Sequence, residues 1–184
     1  MKQFTIFLLL TAFSIINLQA QDHAFELGYI YLYSKKSTIQ GPNIGYTGYI
    51  NISSIEVSFG QVAYSSKQTK SIYNPFIGDY IDSTFTTKNN AMHIYFGGCT
   101  YFLDVLKGFG IGYGLNAFLP QKKLVAMPSV KFGYRWLIKE HFFIMPKIVT
   151  GLKFSLDLGD LENEEDAFPI NFMLGGELKV GYTF

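Results

Sequence analysis

Cysteine is nearly missing from this chain: Cys99 is the single one among 184 residues. One thiol closes no intrachain disulfide and builds no zinc knuckle. Charge is scarce as well, at 16% where ordinary soluble domains carry about 25%. The formal net charge is +1 and no Lys/Arg run stands out, so the electrostatic footprint of a nucleic-acid binder is missing. Past residue 20, Gly, Lys, Asp or Pro interrupts every apolar run within about a dozen residues, short of the ~20 that a membrane-spanning helix needs. Nothing in the residue pattern calls for a cofactor or a metal.

What is abundant points the other way from helices. The chain holds 13 Tyr, 18 Phe and 18 Gly, residues that favour strands and close backbone packing. Residues 1–20 have the pattern of a signal peptide: Lys2 is the basic start, Phe4 to Leu18 the apolar stretch, and Ala20 a small residue before the expected cleavage point. Residues 21–184 are then expected to form one exported domain.

That domain alternates with a period of two, as strands do. In 108–118, Phe109, Ile111, Tyr113, Leu115 and Ala117 share one face, and Gly108, Gly110, Gly112, Gly114 and Asn116 the other. Farther on, Val130, Phe132, Tyr134 and Trp136 oppose Ser129, Lys131, Gly133 and Arg135. The pattern predicts eight strands, at 24–34, 44–53, 55–66, 91–103, 108–118, 125–137, 142–156 and 169–184. A tight turn near Ser53-Ser54 is the least defined boundary, and 91–103 is aromatic on both faces. Short connections at 104–107 and 139–141 contrast with longer polar ones at 35–43, 67–90, 119–124 and 157–168, the signature of an antiparallel up-and-down meander.

Two closed architectures accommodate such a meander. A lipocalin-like soluble carrier buries its apolar face around a ligand, whereas a transmembrane barrel turns that face to lipid. Few strand positions are charged, and the four glycines of 108–118 suit a narrow lumen better than a solvated exterior. Tyr31, Tyr33, Tyr46, Phe118, Tyr134, Trp136, Phe142, Phe154, Tyr182 and Phe184 fall near strand ends, where interfacial aromatic belts lie. The preferred expectation is therefore an all-β, eight-stranded antiparallel up-and-down transmembrane β-barrel.

The last residues sharpen this. Leu178, Val180, Tyr182 and Phe184 alternate with Glu177, Lys179, Gly181 and Thr183 up to the final position. A signal peptide, eight alternating strands and a terminal Tyr-x-Phe resemble the small outer-membrane barrels of the OmpA/OmpX type. The resemblance covers the whole mature chain in pattern, without a diagnostic internal motif. It implies an outer-membrane location, outer-membrane lipid as surroundings, and recognition of Leu178, Val180, Tyr182 and Phe184 by the barrel-assembly machinery.

With the apolar face outward, Glu26, Glu56, Lys131, Arg135, Lys147, Lys153, Glu177 and Lys179 fall in the lumen. They allow either a salt-bridged plug or a cation-lined path for small anions; an eight-stranded barrel is just wide enough for side chains to fill, which favours the plug. The six acidic residues of 157–166 lack calcium-loop spacing and read as a solvated loop. Segments 67–90 and 157–168 are the candidate contacts for a protein partner or surface ligand, and a partial strand extension is an equal reading of 67–90. Some barrels of this size deacylate lipid A through a strand His-x-Ser. Here His93 precedes Ile94-Tyr95, His141 precedes Phe142-Phe143, and His23 lies near the start, so no enzyme is expected.

Overall fold

A computed structural model of the chain describes residues 22–102, 107–120, 123–157 and 170–184. The proposed signal peptide, most of the expected connection at 104–107 and nearly all of the acidic segment lie outside them. Eight strands run in order: β1 Asp22–Tyr33, β2 Ser37–Ile50, β3 Ser53–Asn74, β4 Asp79–Tyr101, β5 Gly108–Leu119, β6 Lys123–Ile138, β7 Phe142–Asp157 and β8 Asn171–Thr183. Each pairs antiparallel with the next, and β1 pairs with β8, so the sheet closes into a barrel. Closure leaves no strand edge within the barrel wall and pairs the backbone polar groups internally.

The ring closes where the first and last strands meet. Ala24 sits opposite Thr183 and Tyr33 opposite Leu174. His23 N donates to Phe184 O at 3.1 Å and Phe184 N to His23 O at 2.8 Å, while the Phe184 ring stacks on Phe25 with centroids 5.4 Å apart. The final aromatic thus completes the β1–β8 seam.

Parity decides what faces where. Leu27, Ile44, Phe96, Leu115, Ile148, Leu178 and Val180 are exposed on the outer wall, and Tyr31, Tyr33, Tyr134, Trp136, Phe142, Tyr182 and Phe184 are exposed toward the strand ends. The eight predicted lumen charges are all buried.

Several boundaries move. The expected loop at 35–43 is mostly β2, with only residues 34–36 left to connect. The turn between β2 and β3 lies at Asn51-Ile52 rather than Ser53-Ser54, with Asn51 at φ 53°, a left-handed conformation Asn tolerates. The expected loop at 67–90 is largely a hairpin, with β3 and β4 in register from Lys67↔Thr86 to Asn74↔Asp79. β2 stops pairing at Ser66 and β5 at Met92, so this hairpin stands beyond the rim as a free two-stranded ribbon. At about 3.3 Å per residue, residues 67–74 reach roughly 25 Å. Phe118 points inward instead of joining the outer aromatics: it is fully buried and stacks on His93 at 4.8 Å.

Candidate functional site: the layered lumen

The interior is built in three layers. Toward the end carrying the long hairpin, Ile30, Leu32, Ile39, Val62, Phe118, Val125, Met127, Val149 and Met173 form an apolar cluster. Toward the end carrying the short turns, Ala24, Tyr49, Cys99, Tyr101, Phe143 and Met145 form another. Charged groups fill the space between. Sequence reading placed polar groups in the lumen and did not anticipate these two apolar caps. Their signal was Ile30 and Leu32 sharing the parity of Glu26.

The middle layer holds three carboxylates and three amines. Lys131 Nζ lies 2.8 Å from Glu177 Oε2. Lys147 Nζ donates to both Glu56 oxygens, at 2.7 and 3.0 Å. Lys179 Nζ bridges Glu26 Oε2 at 2.6 Å and Glu56 Oε2 at 3.0 Å. Thr47 Oγ1 donates to Glu26 Oε1 at 2.9 Å, and Asn43 Nδ2 to Glu177 Oε1 at 3.3 Å. Every oxygen of Glu26, Glu56 and Glu177 therefore accepts a hydrogen bond. A buried charge stripped of water costs several kcal/mol unless it is paired and its remaining lone pairs are satisfied. This layer meets both conditions and ties β1, β3, β6, β7 and β8 together through the lumen.

Two further cations stand apart from the layer. Arg135, toward the short-turn end, donates from Nη2 to Thr183 Oγ1 at 2.6 Å, and its guanidinium lies 3.7 Å from the Phe143 ring centroid and 4.6 Å from that of Tyr49. Lys153, toward the hairpin end, donates to Ser37 Oγ at 2.9 Å and Tyr64 OH at 3.3 Å. The eight predicted residues thus separate into a compact layer of six and one cation on either side.

Glycine makes room for the layer's aromatic support. The Lys131 ammonium sits 3.4 Å from the centroid of Tyr95, a cation–π contact. A Cβ on Gly114 would come within 2.7 Å of Tyr95 Cε2 and 2.5 Å of Phe96 O. The tight neighbours of this glycine come from the adjacent strand β4.

Residues that the sequence left ambiguous also enter the interior. His93 Nε2 is 3.0 Å from Asn116 Oδ1, and Asn116 Nδ2 donates to Ser129 Oγ at 2.7 Å. His23 and His141 instead lie at the short-turn rim, bonded to Tyr46 OH at 2.6 Å and Thr183 O at 3.0 Å. The three histidines do not converge, and among the described residues no group of three or more His, Cys, Asp and Glu is placed to hold a metal ion. Cys99 is buried.

The sequence matches no protein-family model and no curated protein. Among solved structures, the β domain of the Bordetella autotransporter Brka is similar at 8% identity, covering 89% of this chain and 98% of that one, with a TM-score of 0.31. So distant a likeness leaves the functional reading to the geometry above.

Proposed function

We propose that this chain is an integral outer-membrane barrel that holds a contact element above the membrane surface. The observation that carries the reading is the inversion of the ordinary soluble pattern: the wall is apolar and aromatic outside, while Glu26, Glu56, Lys131, Lys147, Glu177 and Lys179 are paired within. Only a hydrocarbon surrounding makes such a wall favourable, because in water this much contiguous apolar surface drives aggregation. A lipocalin-like carrier would need the opposite polarity and an open interior.

Residues 1–20 direct export in this reading, and residues 21–184 form the barrel. The closing strand, with Leu178, Val180, Tyr182 and Phe184, is the element that the assembly machinery reads. Changing Phe184 to Asp is expected to lower the heat-modifiable, folded fraction on gels several-fold while export continues; an unchanged folded fraction would count against that role.

The contact element is the β3–β4 hairpin. Phe76 at its tip is 95% exposed, with Tyr73, Ile77 and Tyr80 also open, and Tyr73 and Tyr80 pack edge to face at 5.4 Å. Exposed aromatics on a scaffolded loop favour contact with a protein or surface ligand. Chemical cross-linking on intact cells, followed by capture of the barrel, should recover a partner with the whole chain and lose it when residues 69–84 are replaced by a two-residue turn. Identical recovery from both would overturn the role of the hairpin.

A small-anion path is the second reading, favoured by the excess of five buried cations over three buried carboxylates among the described residues. The apolar caps and the cross-linked middle layer argue against it. Planar-bilayer recordings without discrete steps are the expected outcome.

A further inference from the structure

The outer wall is not evenly filled. Around the β1–β8 seam it carries a depression of about 860 Å³ whose lining is almost wholly apolar. The strand register explains its shape. One row of outward side chains runs across the strands through Phe59, Ile44, Leu27, Val180 and Ile144. The next row runs through Val57, Tyr46, Phe25, Tyr182 and Phe142. Between them the floor is backbone at inward-facing positions, with Gly45 and Gly181 among those lining it.

The depression is therefore a trough that follows the hydrogen-bonding direction from β3 to β7. Four interstrand spacings of about 4.8 Å give it a length of roughly 19 Å. One leaflet of hydrocarbon is about 15 Å deep, half of a ~30 Å core. Counted along each strand, the trough descends toward the short-turn rim. It meets β7 at Phe142, next to the 139–141 connection, where Lys139, Glu140 and His141 are exposed. An ammonium and an imidazole at the open end of an apolar trough suit the phosphate of a phospholipid.

We propose that this trough seats one acyl chain of a phospholipid, with the phosphate at Lys139 and His141. The inference rests on the membrane reading above. Water gains nothing in a lining of this kind, and a protein segment would have to reach it through the bilayer. A lipid chain is already there, and filling the trough restores the close packing that a bare groove lacks.

The chain's single tryptophan is a built-in reporter. Trp136 is exposed and is the register partner of Ile144, at the lower end of the first row. The barrel is purified in maltoside micelles, which contain no phosphate, and titrated with a phosphatidylcholine carrying brominated acyl chains. A seated lipid quenches Trp136 with a break at about one lipid per barrel. Quenching that rises only in proportion to the micellar lipid fraction, with no break, overturns the site. Filling the trough with Leu27→Phe and Ile44→Phe should abolish the break while the heat-modifiable gel shift persists; a break that survives both changes also overturns it. Lys139→Glu should weaken the apparent affinity about fivefold, as expected for one lysine at a phosphate surface. Reconstitution in vesicles made wholly of the brominated lipid separates the two readings. Strong quenching there without a micellar break sinks only the seat, whereas no quenching there sinks the membrane reading itself.

Discussion

β3 and β4 run through both the barrel body and the hairpin above it, yet the two regions obey different rules. Below the rim, β3 contributes Glu56 to a lumen where each buried charge is answered by a partner on another strand. Above it, the same strand carries Thr69, Ser71 and Tyr73, exposed and paired only with β4. The difference shows where stability resides and where it is not needed. An interior polar layer is costly to disturb because its members have no water to fall back on, whereas a solvated ribbon exchanges one hydrogen-bond partner for another.

The largest effect is expected where the body is most interdependent. Glu56 answers both Lys147 and Lys179, so Glu56→Ala leaves two buried ammonium groups short of a carboxylate. A loss of about 3–5 kcal/mol is expected from breaking a buried pair on one side. Urea unfolding of the micellar barrel, followed by Trp136 fluorescence, measures it, and a loss below about 1 kcal/mol would mean the layer is loosely held. A sharper form uses Lys131 and Glu177. Lys131→Met and Glu177→Leu together should cost less than either change alone, because the apolar pair leaves no orphaned charge. Additive costs would show that the two groups do not act as a pair.

Crowding in the wall comes next. Gly114→Val places carbon against Tyr95 and the Phe96 carbonyl, and about 1–3 kcal/mol of overpacking is expected in the same unfolding assay. A neutral result would show that Tyr95 swings away freely. The smallest effect belongs to the hairpin. Replacing residues 69–84 by a two-residue turn should leave the unfolding midpoint within about 0.5 kcal/mol of the parent, as for surface changes remote from a core. A loss of several kcal/mol would erase the contrast between body and ribbon.

The same contrast explains what could be read from the chain. In the wall, the apolar face must alternate with the inward face, so Leu178, Val180 and Tyr182 announce Glu177 and Lys179 as interior without any structure. Closure on β1 follows from the same alternation continuing to Phe184. Above the rim no face has to be apolar, and residues 67–74 and 79–90 carry no period-two signal although they pair as regularly as the rest. The start of β2 was hidden for another reason. Gly41, Pro42 and Asn43 are turn residues by habit, but a Cβ on Gly41 would come within 2.7 Å of Val62 Cα, so the glycine marks a close strand approach. Parity is silent where both faces are large, as in 91–103: His93 lies inside against Phe118, which has the inward parity of Asn116, a pairing set by the β4–β5 register. Which carboxylate meets which amine was likewise out of reach, since it depends on the stagger of non-adjacent strands across a closed ring.

The central claim is that hydrocarbon, not water, covers the outer wall. Washing isolated membranes at alkaline pH and then dividing the washed pellet between buffer and detergent tests it most directly. The account predicts that the protein stays with the pellet through the wash and leaves it only in detergent, as a folded, heat-modifiable species. Recovery of folded protein in the aqueous wash would contradict it.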